Sequence, residues 1–170
     1  MVMFEAGAVL DVLEALERAG CAVWVAGGWG VDALVGRVTR EHADLDLLHR
    51  EEQERAVIAA LEALGYAERT QGVVPGRPAR FVMAGPGGRE LDLHPLRFLP
   101  DGSALQRLDD EGGALAYPAA AFADGRIEGV RVPCLSVAQQ VHFHQGYQPR
   151  ERDLVDMASL REAYGISTHF

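Results

Sequence analysis

Two cysteines in 170 residues are too few for a disulfide framework. Cys21 and Cys134 each sit in an apolar stretch, so both are expected as reduced core residues of an intracellular protein. Basic charge is scarce as well. Sixteen Lys+Arg against 25 Asp+Glu leave a formal net charge of −9, which supplies no basic face for a general nucleic-acid binder. The same balance suits a small cationic partner, because a negative cleft concentrates cations, and it also serves solubility alone. No apolar run reaches the ~18 residues of a membrane span. The opening stretch MVMFEAGAVLDVLEALERAG carries acids and no basic n-region, unlike a secretory signal. Repeats and low-complexity tracts are missing too. The expectation is a cytoplasmic protein with neither a membrane nor a nucleic acid as partner. What is present fits a globular chain, with 48% hydrophobic and 24% charged residues. Its length suits one compact domain, or a small domain with a helical annex, and buries a core without staples.

Periodicity orders the chain. Val9, Leu10, Val12, Leu13 and Leu16 follow helical spacing up to Gly20. CAVWVA reads as a buried strand and WGVDALVG as a short helix entered through Gly27-Gly28 and closed by Gly36. ADLDLL alternates with period two, which sets Asp44 and Asp46 on one face and Leu45 and Leu47 on the other. A helix carrying Val57, Ile58, Leu61 and Leu64 follows and ends at Gly65. YAERTQ, ARFVMAG and RELDLHPL then read as strands, separated by turns at PGRP and GPGG. Arg97 to Val132 is rich in Gly, Asp and Pro and reads as irregular. Ser136 and Gln139 form a capping-box pattern, and Pro149 precedes a last helix with Leu154, Met157 and Leu160. The expected fold is α+β, a mixed sheet flanked by helices with a small helical C-terminal portion. The core is expected at 1–100, with an irregular segment and helices at 101–170 completing an acceptor site.

The chemistry gathers in WVAGGWGVDALVGRVTREHADLDL. A strand running into two glycines and a helix lets backbone N–H groups approach an anion, though such a pair is often only a tight turn. Asp44 and Asp46 project from one strand face, where two close carboxylates repel unless compensated. Mg²⁺ is the usual compensation, because it takes carboxylate oxygens and substrate phosphates together; a solvated strand face is the plain alternative. Asp92 in ELDLHPL faces away from Leu91 and Leu93, as does His94, towards the same side if the strands are neighbours. Three strand-borne carboxylates around one or two metals suit phosphoryl or nucleotidyl transfer. Arg40 has the planar fork that holds phosphate oxygens. Thr39, His42 and Trp29 lie near enough in sequence to join a nucleotide site, each with a turn or core role as alternative. Of the pair His142 and His144, two residues apart on a helix and so ~200° apart in direction, His142 is the favoured acceptor contact. Tyr147 and Glu111 are candidates for the acceptor pocket, the latter against an exposed loop role. Trp24 is expected in the core. Asp153 and Asp156 complement the dipole of the last helix, with Asp153 also able to reach the nucleotide side.

Gly27-Gly28, Asp44-x-Asp46 and Asp92 together resemble the layout of the DNA polymerase β-like nucleotidyltransferase superfamily. LDLHPLRFLPDGS, EGG, VPCLSVAQQVHFHQGY and ERDLVDMASL are similar to its lincosamide nucleotidyltransferase branch, over about Leu10 to Leu160. The resemblance implies Mg²⁺-dependent transfer of a nucleoside monophosphate, commonly AMP from ATP, to a hydroxyl of an antibiotic. It places Asp44, Asp46 and Asp92 as metal ligands, Asp92 also as the base, and Gly27 and Gly28 under the phosphates. It further implies a homodimer. An aminoglycoside acceptor, a toxin or modifier acting on a protein or tRNA, and a non-catalytic nucleotide-binding module are the alternatives.

Overall fold

The computed structural model describes residues 3–70 and 76–170. Helix α1 (Ala6–Arg18) buries Val9, Val12 and Leu16 on one stripe. The chain turns at Gly20, with φ of +74°, a left-handed conformation that glycine adopts without a Cβ penalty. It enters β1 (Val23–Ala26), which runs directly into α2 (Gly27–Val35). Then follow β2 (Asp44–Arg50), α3 (Glu54–Ala63), β3 (Ala67–Glu68), β4 (Phe81–Ala84) and β5 (Glu90–Phe98). Gln71 of the expected third strand and Pro75 of the expected turn lie outside the described residues.

The stretch from Arg97 to Val132, read from composition as irregular, instead carries most of four strands. These are β6 (Ala104–Arg107), β7 (Ala114–Tyr117), β8 (Phe122–Ile127) and β9 (Val130–Leu135). Its glycines and aspartates fall largely in hairpin turns, at 99–103 between β5 and β6, 108–113 between β6 and β7 and 128–129 between β8 and β9, rather than in one long loop. Helices α4 (Val137–Phe143) and α5 (Glu151–Tyr164) close the chain. Ser136 caps α4 as expected, its hydroxyl accepting from the Gln139 N–H at 3.2 Å.

The sheet order is β3-β4-β5-β2-β1-β9-β8, with the β6–β7 hairpin attached to the end of β5. β2 pairs antiparallel with β1 and parallel with β5, and β9 lies parallel to β1 through Val25 and Cys134. Strands from the C-terminal half therefore continue the sheet of the N-terminal half. One face of the sheet packs Leu45, Leu47, Leu91 and Leu93 against Val9, Val12, Val57 and Leu61, each such side chain stabilising the fold by about 1.5–3 kcal/mol on burial. Both cysteines are free and buried. The opposite face carries Leu48 and Leu96 with Tyr117 and Leu135. Trp24 packs on that side against Phe98 and Phe122, with centroids 5.0 Å away. Helix α5 seats Met157 and Leu160 on Val31 of α2.

Candidate active site

The β2–β5 register decides the site. Asp46 lies directly opposite Asp92, so period-two alternation puts Asp44, Asp46, Asp92 and His94 on one face. One ligand atom each from Asp46, Asp92 and His94 falls within 4.8 Å of the others. His94 Nε2 is 3.4 Å from Asp46 Oδ1 and 3.7 Å from Asp92 Oδ1. Its Nδ1 meets the Gln106 amide at 3.4 Å, and Gln106 in turn accepts the Tyr117 hydroxyl at 2.7 Å.

Gly27 and Gly28 bring the start of α2 against these acids. A Cβ on Gly27 would strike Asp46 Oδ2, and its φ is +58°. One on Gly28 would meet Arg40 Nη2, and His42 Nδ1 at 2.6 Å. No side chain fits at either position, so the start of α2, whose first N–H groups have no intrahelical partner, lies close against Asp46.

The electrostatics are those of an under-compensated anionic cluster. Burial pushes the Asp44 carboxyl up, the charge of Asp46 adds to this, and Arg152 opposes it. Asp92 is likewise raised by burial, against the pull of Arg80. Arg80 forks onto both oxygens of Asp92, Nε to Oδ1 at 2.8 Å and Nη2 to Oδ2. Among the described residues Asp46 meets only His94, and Asp44 accepts no hydrogen bond. The carboxylates of Asp46 and Asp92, with His94, bring hard donors close enough together to suit a divalent cation, and Asp44 lies on the same face.

The remaining candidates divide. Trp29 is buried rather than poised over a nucleotide. Its indole N–H donates to the Phe4 carbonyl at 3.2 Å, and its ring faces His42 at 4.6 Å. His42 and Thr39 converge on Asp32 of α2: His42 Nε2 lies 2.5 Å from Oδ2, and the Thr39 hydroxyl donates to Oδ1 at 2.5 Å. Arg40 is forked onto Asp156, Nε to Oδ1 at 2.7 Å and Nη2 to Oδ2 at 2.9 Å. Asp153 caps α5, accepting from the Arg150 N–H at 2.8 Å.

A cavity of about 280 Å³ opens beside the acids, lined by Gly27, His94, Leu48, Leu115, Phe143 and His144 among others. Of His142 on α4 and His144 just past its end, it is His144 that faces inward. His142 is exposed and contacts Gln145. Tyr147 lies outside that lining, exposed, with its ring edge-on to Phe170 at 4.9 Å. Glu111 sits exposed at the β6–β7 turn, its N–H donating to Asp109. Sequence reasoning missed Asp32, Arg80 and Gln106. Asp32 did leave a signal, as a lone acid one turn past Gly28 in an otherwise apolar helix. Arg80 left none, because its reach to Asp92 depends on the β4–β5 register.

A mixed sheet that sets three carboxylates beside a glycine-led helix start is the architecture of a nucleotidyltransferase, and comparison with known proteins bears this out. The chain is 33% identical over 150 residues to the lincosamide resistance protein of Staphylococcus haemolyticus, spanning 88% of this chain and 90% of that protein. It belongs to the aminoglycoside-2''-adenylyltransferase family, whose model matches residues 8–160. The crystal structure of the lincosamide antibiotic adenylyltransferase LnuA with lincomycin bound superposes with a TM-score of 0.79 at 31% identity, covering 91% of this chain and 95% of that one. ANT(2'')-Ia in complex with adenylyl-2''-tobramycin gives a TM-score of 0.70 at 20% identity, over 92% and 87% of the two chains, and shows the shared fold. No helix among the described residues is long and apolar enough to cross a membrane.

Proposed function

We propose that this nucleotidyltransferase transfers AMP from ATP, with Mg²⁺, to a hydroxyl of a lincosamide-type antibiotic and so confers resistance. The observation that carries the reading is the meeting of Asp46, Asp92 and His94 beside the glycine-led start of α2. Asp44, Asp46 and Asp92 would hold a divalent cation, which when bound would neutralise the triphosphate and the charge developing on the leaving pyrophosphate. The chain's own groups do the rest. The start of α2 orients the phosphates, and Asp92, its basicity raised by burial, accepts the proton of the acceptor hydroxyl. The acceptor oxygen bonds to the α-phosphorus, the bond to the bridging oxygen breaks, and pyrophosphate departs with that electron pair.

The lincosamide class is supported by the resistance protein and the lincomycin-bound structure to which the chain is similar. The cavity beside the acids adds to this. Among the described residues its walls are largely apolar and carry no carboxylate, a poor lining for a polycationic aminoglycoside. The aminoglycoside acceptor is the second reading, favoured by the name of the family model. The homodimer and the cytoplasmic location belong to the same proposal. Asp92→Asn tests the chemistry: turnover is expected to fall about a hundred- to ten-thousandfold while ATP binding persists. Full transfer activity in that variant would remove Asp92 as the base.

A further inference from the structure

We propose that Arg152 anchors the β- and γ-phosphates of the bound nucleotide, in place of Arg40, whose position in the sequence suggests that part. The inference rests on the nucleotidyl-transfer reading above and adds to it the side chain that grips the leaving group.

The cations around the carboxylates are not equally available. Arg40 spends its fork on Asp156, whose side chain is 3% exposed. That pair is an internal tie between α5 and the loop after α2. Arg80 spends its fork on Asp92. Among the described residues no carboxylate pairs with Arg152, and its side chain is exposed on the first turn of α5. Its placement follows from helix geometry. Arg152 and Asp156 are four residues apart, so they share one face of α5, with Arg152 about 6 Å nearer the helix start. Asp156 is fixed through Arg40 to Gly28, because Arg40 Nη2 fills the space that a Gly28 Cβ would take. Arg152 therefore overhangs the same corner from the solvent side. The Arg152 charge acts on Asp44 ahead of that of Arg40, which sets its guanidinium on the carboxylate side of α5.

A guanidinium there has the properties a triphosphate clamp needs. It is planar and permanently charged, its donors suit phosphate oxygens bidentately, and it gives up no internal ion pair to bind. The neutralised Arg40 and Arg80 would first have to leave buried or half-buried carboxylates unpaired.

The test is calorimetric titration of wild type, Arg152→Gln and Arg152→Lys with ATP, AMP and inorganic pyrophosphate, in Mg²⁺ and without acceptor. For Arg152→Gln, affinity for ATP and pyrophosphate is expected to fall about ten- to a hundredfold, as for loss of one charged hydrogen bond. AMP affinity and melting temperature stay at wild-type values, and Arg152→Lys recovers part of the loss. Unchanged ATP affinity in Arg152→Gln, or equal losses for ATP and AMP, would overturn the proposal. The two failures are separable. A wild-type protein that takes up no ATP removes donor and anchor together, whereas wild-type uptake matched by Arg152→Gln removes the anchor alone.

Discussion

Removing either partner of the Arg40–Asp156 pair should cost the protein very different amounts. The fork is well formed, at 2.7 and 2.9 Å, but the partners are unequally buried. The Asp156 side chain is 3% exposed and that of Arg40 21%. Arg40→Met strands a carboxylate between α5 and the loop after α2, the situation that costs about 3–5 kcal/mol in buried pairs. Asp156→Leu strands a guanidinium that turns outward on its flexible stem and reaches water. That change should cost about 1–2 kcal/mol, the scale of a lost hydrogen bond to a charged group. The asymmetry of about 2 kcal/mol is read by urea unfolding of both variants at pH 7, with the slope checked for constancy so that midpoints convert to free energies. Equal losses, or a larger loss for Asp156→Leu, would refute the burial argument. Losses below about 1 kcal/mol for both would place the pair among weak surface salt bridges.

Two further outcomes follow from the same structure. His49 is fully buried with neither ring nitrogen hydrogen-bonded, 3.5 Å from Glu54, and burial pulls its pKa from 6.5 down to about 4. The unfolded chain thus binds the proton first, so His49 contributes stability above pH 6.5 that is lost as pH falls towards 4. The loss is about 2 kcal/mol between pH 7 and pH 5; His49→Leu should flatten this part of the pH–stability curve, and an unchanged curve would count against it. Gly28→Ala drives a Cβ into Arg40 and the Asp32-bound His42. It should cost about 1–3 kcal/mol by overpacking and lower kcat/KM for ATP, and wild-type values of both would show that the close approach is not required.

Much of the carboxylate site was legible because it obeys local rules. Period-two alternation in DLDL and LDLH assigns the faces of Asp44, Asp46, Asp92 and His94 without any tertiary knowledge. The glycine pair marks a place where a side chain would collide with Asp46 at the first position and with Arg40 and His42 at the second. Residues whose roles depend on non-local pairing were illegible. Arg80 reaches Asp92 only because β4 pairs with β5 in one register, and Arg40 is claimed by an aspartate 116 positions away. Composition misled for 97–132, since the Gly and Asp of tight hairpin turns resemble those of a loop. Helical phase set His142 and His144 apart and favoured His142, yet His142 is exposed and His144, just past the end of α4, lines the cavity. That depended on how α4 docks, with its Gln140 amide donating to the Gly27 carbonyl at 3.3 Å.

The most direct test of the proposed chemistry is the product mass after incubation with Mg²⁺, each of the four nucleoside triphosphates, and lincomycin, clindamycin or an aminoglycoside, with pyrophosphate release followed alongside. The expected result is a lincosamide heavier by one AMP moiety, formed with ATP and matched by stoichiometric pyrophosphate. An adenylylated aminoglycoside with untouched lincomycin would contradict the assigned acceptor. Unmodified drugs throughout, with ATP bound, would contradict nucleotidyl transfer to this class of antibiotics.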